Sequence, residues 1–326
     1  MPPALTNIDE VVMALRSTNR LGDDEGIRIL TGGVSALVGL VDGGAQPWIV
    51  KSPLAQLSVR DEWLVGRERG ANEAIILEKL GGQLGPVRTP HLLFFDEDHV
   101  ILGEEFIAPP TRNYKDELLA GRSHPEVARA IGEALGQLHR LSAPEALDGP
   151  GPRRLFDALR LDPYYRTTAH RQPEVRDDLL RLVDDTVHQS MRRLVHGDLS
   201  PKNILVTSSS AALLDWEVIH VGDPCFDRGM MGAHFMLKAL YHESTGVTHD
   251  IVEAARGFWT SYDGPAGVRQ SIRHAGGVML ARLYGKSPVE YLWSGATRSR
   301  VHRIGARALS GSVISVEEFL ALIDEE

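Results

Sequence analysis

One stretch constrains this chain more than any other: Leu194-Val195-His196-Gly197-Asp198-Leu199-Ser200-Pro201-Lys202-Asn203-Ile204-Leu205, followed by Leu213-Leu214-Asp215-Trp216-Glu217. Short apolar runs broken by Gly, Pro and Asn read as a strand, a tight loop, a second strand, a turn and a third strand ending in acids. Asp198 stands five residues before Asn203, and an Asp-x-Glu follows the next hairpin. Mg-assisted phosphoryl transfer asks for such a set. One carboxylate receives a hydroxyl proton, while an amide and a second carboxylate hold metal against nucleotide phosphates.

These residues resemble the catalytic and metal-binding segments of the aminoglycoside phosphotransferase family, a group of small-molecule kinases that includes choline, homoserine and methylthioribose kinases. The resemblance spans roughly residues 27–309 and lies near the methylthioribose kinase branch. It implies an α+β, bilobal, protein-kinase-like fold with a small N-terminal sheet lobe and a larger, mainly helical C-terminal lobe. It also implies Asp198 as the general base or substrate-orienting acid, Asn203 and Asp215 as Mg ligands, and Glu217 at a second metal directly or through water. His196 is expected to hold the loop together. Lys202 is expected either to neutralise the transferring phosphate or to face solvent. Protein kinases carry His-Arg-Asp where this chain has His196-Gly197-Asp198, so phosphorylation-gated protein substrates are not expected. Methylthioribose kinases usually carry Ser at the place of Asn203 and are longer, a departure from that branch.

The bulk numbers exclude more than they specify. The 326 residues suffice for one large domain or two lobes, and 43% hydrophobic with 24% charged is ordinary for a globular protein. A formal charge of −9 argues against a nucleic-acid partner and favours a cationic or neutral ligand over an anionic one. Cys225 is the sole cysteine, so no internal disulfide is possible and a cytoplasmic setting is expected. The N-terminus lacks the basic and apolar regions of a signal peptide, and no apolar run is long enough to span a membrane.

Along the chain, Asn7 to Glu10 reads as a capping box opening a short amphipathic helix. Residues 27–30, 36–41 and 48–51 read as strands, 71–80 as a helix, 81–90 as a Gly/Pro-rich loop, and 92–96 with 100–107 as a hairpin. After Ala108-Pro109-Pro110 the pattern turns helical, over 125–141, 174–188, 226–241, 248–262, 267–284 and 297–309, with Ser315 capping a last helix and 144–152 left as a loop. A nucleotide-binding lobe over 1–107 and a catalytic, substrate-binding lobe over 108–326 follow.

Thr31-Gly32-Gly33-Val34-Ser35 lies between two strands, where Gly32, Gly33 and Ser35 would let backbone N–H groups approach phosphates. Lys51, at a strand end, would contact the α and β phosphates, aimed by an acid on the next helix. Glu73 fits the family's segment, with Glu68 and Glu78 as rivals. In the hinge-like Leu102 to Ile107, Glu105 would offer its carbonyl and Ile107 its N–H to the base; Glu104 falls where the family usually has an apolar residue. Asp227 is expected to cap a helix and steady the catalytic loop, and Cys225 to be a small buried residue. Arg160, Tyr164, Arg282 and Tyr291 are candidate substrate contacts. The expected reaction uses ATP, or GTP, with Mg, on a sugar-like, amino-alcohol or aminoglycoside-type hydroxyl. A nucleotide-binding pseudokinase scaffold is the alternative. A metal-dependent phosphohydrolase built on His196 and Asp198 would need more clustered ligands than this segment supplies.

Overall fold

A computed structural model describes residues 5, 7–30, 35–55, 65–207, 210–243, 246–292 and 294–325. Asn7 accepts the Glu10 N–H at 3.0 Å and starts helix α1 (Ile8–Ser17). Strands β1 (Gly26–Ile29), β2 (Ala36–Asp42) and β3 (Trp48–Pro53) follow, then α2 (Arg69–Leu80), which ends on Gly81 at φ 59°. The short strands β4 (Gln83–Leu84) and β5 (Val87–Arg88) precede β6 (Leu92–Asp96) and β7 (Ile101–Glu105). One antiparallel sheet runs β1-β2-β3-β7-β6. Its outer face buries Val41, Trp48, Val50 and Ile101 against Val11, Ala14 and Leu15 of α1. α2 lies against β3, β6 and β7 and faces the larger core.

The Gly/Pro-rich stretch 81–90 is not only a loop. β4 and β5 form a tiny hairpin, and β5 pairs in parallel with β11 (Ala211–Leu213) of the catalytic hairpin. That second sheet runs β4-β5-β11-β10-β8, with β8 at Arg112–Asn113 and β10 at Ile204–Val206. Backbone from before the expected lobe boundary therefore fixes the base of the catalytic loop. β9 (Arg193–Val195) pairs with β12 (His220–Gly222) and brackets that loop from the other side.

The rest is helical: α3 (Tyr114–Leu119), α4 (Pro125–Leu138), α5 (Pro150–Phe156), α6 (Thr167–Arg171), α7 (Arg176–Val187), α8 (Cys225–Tyr241), α9 (Val247–Ser261), α10 (Val268–Tyr284), α11 (Gly295–Leu309) and α12 (Val316–Ala321). α8 is buried along nearly its whole length, packed by α9 and α10. The loop expected over 144–152 is cut short because α5 begins at Pro150. Proline is tolerated there, where the first-turn N–H groups have no intrahelical acceptor. From Asp157 to Arg166 the helix widens to π-type turns around Pro163, which lacks an N–H to donate. Those turns carry Arg160 and Tyr164 to the cleft. Among the described residues no helix is long and apolar enough to cross a membrane.

Candidate active site

A cleft of about 780 Å³ is lined by the inner sheet face, the segment Glu104 to Ile107, the catalytic hairpins and parts of α3, the π-type turns and α10. Of the Gly-rich segment, Ser35 lines it; Gly32 and Gly33 lie outside the described residues. Lys51 reaches the cleft from β3. Its ammonium is 2.8 Å from Glu73 on α2, the acid expected from the sequence, and also 2.8 Å from Glu104 on β7. Antiparallel pairing puts Lys51 opposite Leu102 and Ile49 opposite Glu104, so β7 delivers the second acid beside the lysine. Burial opposes ionising either acid. It outweighs the pull of Lys51 and, with help from Glu104 and Asp215, takes Glu73 up to about 7. Glu104 is likewise raised, by burial first. Glu73 Oε1 also accepts the Trp216 N–H at 3.1 Å and so ties α2 to the segment after Asp215.

Glu105, Phe106 and Ile107 line the cleft where the base-recognising segment is expected. The Glu105 side chain pairs with Arg88 at 2.7 Å, and its backbone N–H donates to the His91 carbonyl at 2.9 Å.

The catalytic loop is held by its own backbone requirements. Gly197 sits at φ 78°, and a Cβ there would lie 2.7 Å from the Val218 carbonyl. No larger residue is accommodated without movement, which explains why this chain has no Arg at that place. Asp227 accepts the N–H groups of His196 at 2.7 Å and Gly197 at 2.9 Å. It steadies the loop as expected but does not cap α8, which starts after Pro224 with no side-chain cap; Asp223 accepts the Cys225 N–H at 2.9 Å. His196 packs 4.5 Å from the Trp216 ring and accepts the Asp198 N–H at 3.2 Å, a structural part; burial lowers its pKa.

Asp198 is buried and surrounded by donors: Arg160 at 2.9 Å, Lys202 at 2.9 Å and the Asn203 amide at 2.9 Å. Burial alone would raise its pKa, but Arg160 and Lys202 overcome this and hold it well below the usual carboxylate range. A carboxylate held ionised in this way is a weak base. That suits a loose transition state in which the hydroxyl proton leaves late. Lys202 is both half-exposed and a partner of Asp198. Arg160 spends its guanidinium on Asp198, on the Gly197 carbonyl at 2.7 Å and on the Leu159 carbonyl at 2.7 Å. These contacts tie it to the loop, and it lines the cleft.

The donor set fits a divalent metal. Asn203 uses its NH₂ on Asp198, so its Oδ1 remains for another ligand. Asp215 lines the cleft in a left-handed conformation, φ 65°, and its carboxylate pairs with no described residue. An amide oxygen and an unengaged carboxylate suit Mg, which keeps waters and takes phosphate oxygens for the rest. Glu217 is less free. Its carboxylate meets Arg69 at 3.0 Å, and burial takes it up to about 7. Arg69 is wholly buried and also donates to the carbonyls of Ser35, Leu54 and Gly66. It was not foreseen from the sequence, because no local spacing links it to Glu217, 148 residues on.

Tyr164 and Arg282 line the cleft, with the Arg282 guanidinium 5.9 Å from the Tyr164 ring centroid. Tyr291 does not; it is buried below, its ring 5.2 Å from the Lys238 ammonium.

Residues 26–266 match the model of the phosphotransferase enzyme family, and the chain belongs to that family. Methylthioribose kinase from Escherichia coli O45:K1 (strain S88) is 26% identical over 222 residues, 59% of this chain and 53% of that protein. Methylthioribose kinase 1 of rice is 25% identical over 218 residues, 58% of this chain and 50% of that one. The chain thus spans about half the length of the curated relatives it matches. A choline/ethanolamine kinase family protein from Mesorhizobium loti superposes with a TM-score of 0.54 at 18% identity, covering 98% of this chain and 99% of that one. A choline kinase from Streptococcus pneumoniae gives 0.53 at 15%, over 94% and 99%. The fold is the bilobal α+β fold of these kinases.

Proposed function

We propose that this chain is a small-molecule O-phosphotransferase, using Mg and ATP to phosphorylate a hydroxyl of a sugar-like, amino-alcohol or aminoglycoside-type acceptor. The observation that carries the reading is the unengaged Asp215 carboxylate beside the Asn203 oxygen, in one cleft with Lys51 and Asp198. The nucleotide lobe, 1–107, holds the phosphates through Lys51, Glu73 and the Gly32–Ser35 loop and the base through the backbone of Glu105 and Ile107. Asn203 and Asp215 would hold Mg, with Glu217 reaching a second metal directly or through water, and the bound metal would supply positive charge against the phosphates. In the 108–326 lobe, Asp198 orients the acceptor. The acceptor oxygen bonds to the γ-phosphorus as the bond to the ADP oxygen breaks, and the hydroxyl proton passes to Asp198. A family name does not fix the acceptor. The working compartment is the cytoplasm.

The test is Mg-dependent ADP release across a panel of alcohols, sugars and aminoglycosides, following a thermal-shift screen. Acceptor-dependent release supports the reading. Nucleotide binding with no release on any acceptor would favour a scaffold.

A further inference from the structure

Charges around the cleft are unevenly matched. Lys51, Arg69 and Asp198 each meet an opposite charge at 3.0 Å or closer. Lys115 on α3, Lys238 on α8 and Arg282 on α10 do not. Arg282 and Lys115 line the cleft. Arg282 Nη1 donates only to neutral oxygens, Ser287 Oγ at 2.9 Å and the Tyr164 hydroxyl at 3.3 Å, and its Nε is buried with no acceptor. Close by, Lys238 on α8 is 1% exposed, and its ammonium meets His234 Nδ1 at 3.0 Å and the face of the Tyr291 ring. The Tyr291 hydroxyl is buried without a partner. Among the described residues, none of Lys115, Lys238 and Arg282 forms an ion pair. Asp116, also at the cleft, is exposed and pairs with none of them.

Burying cationic groups without counter-charge is costly. Here burial pushes the Lys238 ammonium well below the usual lysine range, and Arg282 and Lys115 push it the same way. His234 is lowered by burial and then by Lys238, Arg282, Lys202 and Lys115. A wall of the cleft that presents Arg282 and Lys115 beside the Tyr164 and Ser287 hydroxyls is matched to an oxyanion, and a guanidinium is the group best shaped for one.

We propose that the acceptor carries an oxyanion, a carboxylate or a phosphate ester, which docks against Arg282 and Lys115 while its hydroxyl faces Asp198. This rests on the phosphotransferase reading and narrows it. It reverses the preference for a cationic or neutral ligand drawn from the net charge of −9, because a net charge does not set the charge of one pocket wall. The docked anion takes no part in bond making; it fixes the position of the hydroxyl.

The experiment uses four ligands on one ring: glucose, glucosamine, glucuronate and glucose 6-phosphate. Calorimetry on the full chain with Mg·ADP measures binding, and ADP release from Mg·ATP measures turnover. At least one of the two anions should bind about tenfold or more tighter than glucose, and glucosamine most weakly. Preference for glucuronate identifies a carboxylate; preference for glucose 6-phosphate identifies a phosphate. Arg282→Gln and the half-exposed Lys115→Gln should each weaken the anion about tenfold, weaken glucose less, and leave Mg·ADP unchanged. Absence of anion binding, equal binding of glucose or glucosamine, or variants with unaltered anion affinity would overturn the proposal. Anion binding that the two variants weaken, with no ADP release on any ligand, leaves the anion site standing and counts against the phosphotransferase reading instead.

Discussion

Lys51 and Lys238 are both lysines withdrawn from water, and the chain treats them in opposite ways. Lys51 has two carboxylates at 2.8 Å. Lys238 has a histidine nitrogen, an aromatic face and two further cations nearby. On the Lys51 side the protein brings its own counter-charge, so a ligand there must arrive with compensating cations, as a metal–nucleotide does. On the Lys238 side it brings none, so the ligand supplies the negative charge. Lys51 lines the cleft, and Lys238 lies buried behind the wall that carries Arg282, so the sign of the missing charge differs between the two sides.

The comparison can be broken at several points, the largest effect first. Asp198→Asn should bind Mg·nucleotide normally and lose turnover by about 10²–10⁴-fold, measured as kcat for ADP release. A folded variant with near-normal kcat would remove Asp198 from the chemistry. Asp215→Ala should weaken Mg·nucleotide by at least about the 10–100-fold that outer-sphere losses cost, and more than Asn203→Ala does, since only the carboxylate brings formal charge. Titration of both variants with Mg·ATP decides this; equal, wild-type affinities would put the metal elsewhere.

The two lysines should then part company on removal. Lys51→Met leaves Glu73 and Glu104 without their cation and should lower stability, on the order of 3 kcal/mol. Lys238→Met removes an uncompensated buried amine and should keep or raise Tm. Thermal melts of the two variants side by side would contradict the contrast if both fell equally.

The smallest effect is a pH dependence. Glu73 is raised to about 7 from an ordinary 4.5. The folded empty protein therefore holds this proton to higher pH than the unfolded chain. The associated stability is fully present below about pH 4.5 and is lost as pH rises toward 7. Glu104→Gln removes one competitor for Lys51, so Glu73 ionises more readily and the decline should flatten. Tm measured across that range in both proteins tests it.

Much of this was legible in the sequence wherever short-range geometry decides the outcome. The catalytic loop depends on Gly197 at positive φ and on Asp-x₄-Asn spacing, both local. Lys51, expected at a strand end and found within β3, and the helix acid Glu73 meet because a strand followed by a helix leaves few other arrangements. Features made by packing were not legible. Arg69 finds Glu217 across 148 residues, and Lys238 with His234 lies on a helix buried all round, where no amphipathic stripe marks a special face. Pro150 and Pro152 made a helix start look like a loop, and the strands near Gly85 are too short to show a period. Arg282 was singled out and does line the cleft; its neighbour in that reading, Tyr291, lies beneath it.

The central claim is that the cleft transfers a phosphoryl group to a bound alcohol oriented by Asp198. ³¹P NMR of the full chain with Mg·ATP and the acceptor giving the fastest ADP release tests it most directly. The account predicts a new phosphomonoester signal on the acceptor with wild-type protein, appearing in step with ADP and nearly absent with Asp198→Asn. Inorganic phosphate as the sole product, or equal phosphomonoester from both proteins, would contradict it.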